Sequence, residues 1–273
     1  MNDRAVPAFA PGVDYAMPAD LYHAIPAVGS SGLKSFLRSP AHYRARLAQP
    51  AEPTDAQALG TAVHLAVLEP ERFEREVVAA PKFDRRTTAG KAAAAEFDAA
   101  HAGRLVLAAD VHETACRVRD AVRSHPAAAL LLAHGAPEVS LQWIDEASGV
   151  PCKSRLDWLA PDHSVVDLKT ARDASPLGFG RAIGQYGYAI QQAVYVAGVR
   201  AALGAEPPMF AFVAVETEPP FAVGVYVLDD DAVAAAEVRV AEALARFAQC
   251  RAADTWPAYG DLIQTITLPR WAL

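Results

Sequence analysis

The stretch Cys152–Thr170, CKSRLDWLAPDHSVVDLKT, constrains the fold of this 273-residue chain more than any other. Two runs of strand-like alternation, 153–159 and 164–169, flank Ala160-Pro161-Asp162-His163. Proline followed by aspartate is turn chemistry, so the spacing predicts a β-hairpin. Side chains alternate faces along a strand. Lys153, Arg155 and Asp157 are therefore expected on one face, with Leu156 and Trp158 on the other, and Asp167 and Lys169 opposite Val166 and Leu168. Two carboxylates and an ammonium beside an apolar sheet are costly unless something compensates them. They would suit a hard divalent cation such as Mg²⁺, which prefers oxygen donors and keeps part of its water shell for a phosphate. A half-exposed hairpin with solvated cross-strand ion pairs accounts for the same residues.

The rest of the chain bounds the choice. At 29.0 kDa, with 52% hydrophobic residues, it can bury a sizeable core and is not a disordered composition. It has no run of eighteen apolar residues, and MNDRAVPAFAPG lacks both a basic start and an apolar segment, so a soluble, cytoplasmic protein is expected. Cys116, Cys152 and Cys250 are far apart and form no CxxC pair, which argues against a disulfide framework, a zinc ribbon or a four-cysteine cluster. A net charge of −7 argues against a generic nucleic-acid binder. It leaves room for a nuclease, whose metal-holding acids make the site locally negative.

In chain order, residues 1–28 read as an extended arm and 29–273 as one α/β domain. Gly29 to Arg38 reads as a serine-capped short helix with Leu33, Phe36 and Leu37 inward, stopped by Ser39-Pro40. Ser30, Ser31, Arg38 and Arg44 form either a solvated face or a phosphate pocket. A helix over 55–69 carries His64 beside an apolar stripe, the usual setting of a core histidine. Short strands at 76–80 and 105–107 flank a helix from about residue 88, and two helices break at His125-Pro126. Strand 138–144 precedes the hairpin, giving a three-strand antiparallel meander with Glu138 on its polar face. A long helix over 185–203 puts Tyr188, Gln191 and Tyr195 on one line. Apolar runs 209–216 and 221–228 suit strands buried on both faces. An amphipathic helix over 229–251 and a short tail complete the chain.

In this order, the elements resemble the PD-(D/E)XK nuclease superfamily, and more narrowly the RecE-like (exonuclease VIII-type) nucleases of phages and prophages. The matching pieces are YHAIPAVGSSGLKSFLRSPAHYR at Tyr22–Arg44, LGTAVHLAVLEPERF at Leu59–Phe73, CKSRLDWL at Cys152–Leu159, VVDLKT at Val165–Thr170, QQAVY at Gln191–Tyr195 and the closing TLPRWA. Each is weak alone, and together they are specific. The resemblance implies a restriction-endonuclease-like core, a mixed central sheet with an antiparallel meander flanked by helices. It implies Asp157 and Asp167 as metal-binding carboxylates, the Leu168 carbonyl as a further ligand, and Lys169 as the motif lysine beside the attacking water. His64 becomes a metal ligand, Glu138 a supporting acid, and Gln191 and Tyr195 residues that contact substrate or order the site. Ser30 and Ser31 become a candidate pocket for a 5′ end, with Arg38, Arg44, Arg155 and Tyr188 on the substrate. Leu156 stands where the motif has proline, a common departure.

The function implied is an Mg²⁺-dependent (or Mn²⁺-dependent) exonuclease degrading linear double-stranded DNA 5′→3′ for single-strand annealing recombination. Its expected partners are a RecT-like annealing protein and further copies of itself in a ring. Such a ring would gather Arg38, Arg44, Arg85, Arg86, Lys153 and Arg155 on its inner surface. An endonuclease or CRISPR-adaptation nuclease of the same superfamily is the nearest alternative, though it lacks support from a recognition domain or a four-cysteine site. A catalytically inactive DNA-binding module is disfavoured by the intact Asp157, Asp167 and Lys169.

Overall fold

In the computed structural model the described residues are 8–48 and 55–268. Strand β1 (Gly12–Asp14) and helix α1 (Ala19–Ala24) precede α2 (Ser30–Arg38) and α3 (Pro40–Ala48). Helices α4 (Asp55–Leu68) and α5 (Pro70–Glu76) lead to a small layer of β2 (Val77–Ala80), α6 (Thr88–Ala100) and β3 (Leu105–Ala108), whose two strands pair in parallel. Next come α7 (Ala109–Ser124), α8 (Pro126–Leu131), β4 (Ala136–Ile144), β5 (Pro151–Leu159) and β6 (Val165–Ala171). The chain continues through α9 (Pro176–Tyr186), α10 (Tyr188–Leu203), β7 (Phe210–Glu216), β8 (Val223–Tyr226) and α11 (Asp230–Ala253).

The main sheet has six strands in the order β1-β4-β5-β6-β7-β8. All neighbours are antiparallel except β6 and β7, which are parallel because α9 and α10 carry the chain back across the sheet between them. The predicted meander is β4-β5-β6. Its first turn is closed by Asp145, which accepts from the Ser148 amide at 2.9 Å, with Gly149 at φ +65°. Its second is closed by Asp162, which accepts from the Ser164 amide at 2.9 Å.

A core lies on each face of the sheet. On one, Leu33 and Phe36 of α2, Ile190 and Val194 of α10 and Leu244 and Phe247 of α11 pack over Val139, Leu141, Leu156 and Phe212. On the other, Val63 and Val67 of α4 and Val118 and Val122 of α7 cover Trp158, Val166, Leu168 and Val213. Strand β7 feeds both cores, and burying a side chain such as Phe212 completely contributes about 2–3 kcal/mol. Strand β8 is only half-buried because it is the sheet edge, so of the two apolar runs only β7 is enclosed on both faces. Among the described residues no helix is long and apolar enough to cross a membrane.

Three local expectations need correcting. The N-terminal arm is not simply extended: β1 pairs with β4 through Val13 opposite Leu141, and residues 19–24 are helical. The serine cap of α2 is replaced by Gly29, and Ser30 is the first helical residue. The long helix expected over 185–203 is divided at Gly187, whose φ of +65° ends α9 and starts α10.

Candidate active site

Alternation along β5 slips by one residue at the point of interest. Leu156 belongs to the core under α10, Trp158 to the core under α4 and α7, and Leu159 returns to the first. Leu156 and Trp158 therefore do not share a face. The cause lies opposite: Val139 pairs with Leu156 and Pro137 with Trp158, while Glu138, between them, has φ +54° and drops out of the ladder. A kink of this kind re-aims the side chains beside it.

The second break is between β5 and β6, which pair only at Trp158–Val166 and Leu159–Val165 and then part. Asp157 fills the gap: its Oδ2 accepts the Leu168 amide hydrogen at 2.8 Å. Helix α4 brings the His64 Nδ1 to 3.7 Å from the same oxygen. One donor atom from each of His64, Glu138 and Asp157 lies within 4.8 Å of the others. Glu138 is steadied by Arg155, whose Nε donates to it at 2.5 Å.

Asp167 is fully buried. Its Oδ1 accepts from Gln191 Nε2 at 2.8 Å, and its other oxygen is ion-paired with Lys169. The same Gln191 nitrogen lies 3.0 Å from the Tyr195 hydroxyl oxygen, which accepts from it. The Lys169 Nζ is 5.1 Å from the centre of the Tyr188 ring. The Tyr188–Gln191–Tyr195 line of α10 thus faces the meander, and Gly198 permits the approach. A Cβ there would come within 2.9 Å of both Ser154 Oγ and the Trp143 ring.

Charge in this space is poorly solvated. Burial pushes Asp157 up to about 6, with Lys169 opposing and Glu138 adding to the rise. Burial likewise raises Asp167 to about 6 against the pull of Lys169, and Asp157 reinforces it. Burial alone would lower Lys169, but Asp167 and Asp157 outweigh it, so the ammonium is held above its ordinary value. His64 is lowered by burial and by the Lys169 charge, which keeps its imidazole neutral and able to donate a lone pair. A neutral imidazole and carboxylates short of positive charge fit a divalent cation, which lowers the pKa values of the acids that ligate it.

The metal set expected from the sequence is therefore brought together in two parts. His64, Glu138 and Asp157 form one cluster, and Asp167 stands beside it, tied to Gln191 and Lys169. The substrate set is more dispersed. Arg155 is committed to Glu138, the Met17 carbonyl and Ser140. Arg44 lies over the Trp256 ring at 5.3 Å. Ser30 is buried, Ser31 and Arg38 are exposed, and no hydrogen bond or ion pair among the described residues links Ser30, Ser31, Arg38 or Arg44 to the carboxylates. Lys153, expected on a DNA-facing surface, is buried and donates to the carbonyls of Tyr22, His23 and Ile25 at 2.8, 3.1 and 2.8 Å. Lys34 was missed: its Nζ is 5.8 Å from the Tyr188 ring centre, and its only sequence signal is its place one turn before Arg38 on α2. The closing TLPRWA stretch falls largely outside the described residues.

Among curated proteins no sequence match is found. A crystal structure from Eubacterium rectale, of a protein provisionally named an exonuclease, superposes with a TM-score of 0.63 at 17% identity. The match covers 93% of this chain and 96% of that one, and it supports the fold. The structure of SSO0001 covers 80% of this chain and 84% of its own at 15% identity, and its TM-score of 0.30 carries no argument. With the parting of β5 and β6, the two buried aspartates and the lysine two residues after the second, the fold is that of a PD-(D/E)XK nuclease. Residues 29–269 match the PDDEXK-like domain of unknown function (DUF3799), and the chain belongs to that family.

Proposed function

We propose that this chain is a divalent-cation-dependent deoxyribonuclease that hydrolyses phosphodiester bonds of linear double-stranded DNA from an end. The observation that carries the reading is the convergence of Asp157, Asp167 and Lys169 where β5 and β6 separate, with His64 and Glu138 adjoining. His64, Glu138 and Asp157, with Asp167 beside them, would hold the cation. When bound, such an ion lowers the pKa of a coordinated water and offsets phosphate charge. Lys169, kept protonated by the two aspartates, acts as a fixed positive charge facing the negative charge that grows on the phosphate, and not as a base. Gln191 fixes the orientation of the Asp167 carboxylate, and Tyr195 fixes Gln191.

Attack from an end is supported by the RecE-like motifs and by the provisional exonuclease name of the Eubacterium rectale protein. Use of Mg²⁺, with Mn²⁺ as substitute, 5′→3′ polarity, a ring-shaped homo-oligomer and a RecT-like annealing partner belong to the same reading and rest on the resemblance. A linear duplex labelled on one strand, incubated with Mg²⁺ and then with EDTA, tests activity, polarity and end preference together. The reading requires loss of label from linear DNA, arrest by EDTA and resistance of covalently closed circles. Rapid cutting of the circles would make the protein an endonuclease, and no cutting of any DNA would remove the nuclease reading.

A further inference from the structure

Glu138 and Asp157 stand opposite one another where the β4–β5 pairing lapses. Pro137 pairs with Trp158 and Val139 with Leu156, and the two acids lie between those pairs. Like charges directly across a ladder repel. Asp157 is buried and held by the Leu168 amide. Glu138 is the partly exposed member, on a backbone at φ +54°, so repulsion would turn its carboxylate out to solvent unless another group held it in.

Arg155, two residues before Asp157 on β5, is that group. Its Nε donates to Glu138 at 2.5 Å, and its Nη1 donates to the Ser140 hydroxyl at 3.0 Å and to the Met17 carbonyl at 2.8 Å. The buried Tyr22 of α1 completes the seat. Its ring centre is 5.8 Å from the Arg155 guanidinium carbon and 4.9 Å from the Lys153 Nζ. A guanidinium carries its donors in a rigid planar fork, so contacts that fix one nitrogen and the plane also fix where the others point. The segment before α2 thereby aims the donor that Glu138 accepts.

We propose that Arg155 is a positioning residue of the cation site, holding the Glu138 carboxylate toward His64 and Asp157, and that Tyr22 and the Met17 carbonyl hold Arg155 in turn. The inference rests on the reading of His64, Glu138 and Asp157 as cation ligands and extends it to residues 17–22. It predicts a sign that charge alone would reverse. A cation beside the site repels an incoming metal ion, so an Arg155 that acted only through its charge would tighten metal binding when removed. An Arg155 that keeps a ligand in place loosens binding when removed.

The test titrates Mn²⁺ into the full chain at pH 8 without DNA, read by loss of the electron paramagnetic resonance signal of the free ion. Arg155→Met should bind Mn²⁺ about tenfold more weakly than wild type. Tyr22→Leu should bind it about threefold more weakly, the effect of one lost cation–π contact, and Tyr22→Phe, which keeps the ring, should match wild type. Glu138→Gly removes the carboxylate at a backbone angle that glycine tolerates. In that background neither Arg155→Met nor Tyr22→Leu should weaken binding further, whereas a general loosening of the fold would weaken it in both backgrounds. Unchanged or tighter binding in Arg155→Met, or equal losses with and without the Glu138 carboxylate, overturns the inference and leaves the nuclease reading standing. If the wild type takes up no Mn²⁺, the cation site itself falls and the inference with it.

Discussion

The Asp157 carboxylate takes the place of a missing strand. Its Oδ2 accepts the Leu168 amide hydrogen at 2.8 Å where β6 has left β5, so a backbone donor that a ladder would satisfy is satisfied by a side-chain carboxylate. The same oxygen is 3.7 Å from His64, which ties helix α4 to the parting of the strands. The position of the carboxylate is thereby set by the sheet's own hydrogen-bonding requirement.

Removing either member of the Asp167–Lys169 pair is predicted to eliminate cleavage but to affect stability differently. Asp167→Asn should cut DNA at least ~100-fold more slowly with little loss of stability, because a buried carboxylate short of positive charge is replaced by a neutral amide. Lys169→Met should be as inactive and also less stable by about 3 kcal/mol at pH 8, since it strands a buried acid. That deficit should shrink at pH 5, where Asp167 takes up a proton. Digestion assays with urea melts at the two pH values test both parts, and full activity in either variant would exclude the mechanism.

The metal-free protein should lose stability as pH rises through the range of the two aspartates. Both carboxyls hold their protons to about pH 6 when folded, against an ordinary value of 3.8. The unfolded chain therefore ionises first, and the contribution of these groups is full below about pH 4 and lost as pH passes about 6. Relative to the Asp157→Asn/Asp167→Asn double variant, urea melts in EDTA should show a decline on the order of 3 kcal/mol for each of the two carboxyls as pH rises through that range. A rise would contradict the burial described for this site.

Divalent cation should reverse that loss. Mn²⁺ or Mg²⁺ should raise the melting temperature at pH 8 and have little effect at pH 5, where protons occupy the carboxyls. His64→Ala should weaken the effect, requiring on the order of tenfold more metal. Thermal melts over a metal titration read this without any DNA present, and an undiminished shift in His64→Ala would remove the histidine from the ligand set.

Glu138 combines backbone strain with chemistry, and two substitutions separate them. At φ +54° a glycine is at ease and an alanine is not. Glu138→Gly should therefore be more stable than Glu138→Ala by about 1 kcal/mol, with both equally impaired in cleavage. Equal stability would mean that the kink at β4 is not held by this residue.

Gln191→Leu should move the acid limb of the pH–rate profile upward. The amide donates to the ionised form of Asp167, and its loss raises the pH at which that carboxyl gives up its proton. Tyr195→Phe, which removes only an acceptor for Gln191, should shift the limb little. A profile unchanged in Gln191→Leu would show that Asp167 does not set the limb.

Much of this site was legible because strand period and turn chemistry are local. Pro161 and Asp162 marked the hairpin, and a spacing of two placed Lys169 beside Asp167. Gln191 and Tyr195 could be aligned from helical spacing alone. The slip between Asp157 and Trp158 was not legible, because it arises on β4, where nothing in the letters distinguishes Glu138 from an ordinary strand residue. Gly187 was equally silent, since a lone glycine is tolerated inside a helical pattern. Lys153 misled because a lysine in a polar-alternating strand resembles a surface charge, and its three carbonyl partners lie about 130 residues away in sequence.

That lysine also makes helix α1 and strand β5 a single mechanical part. Its ammonium plugs the open carbonyl end of α1 from within β5, four residues before Asp157. A protein trimmed back to Val28 would lose those three acceptors and keep an orphaned cation under the sheet. Deleting the leading segment should therefore loosen the strand that carries Asp157 as well.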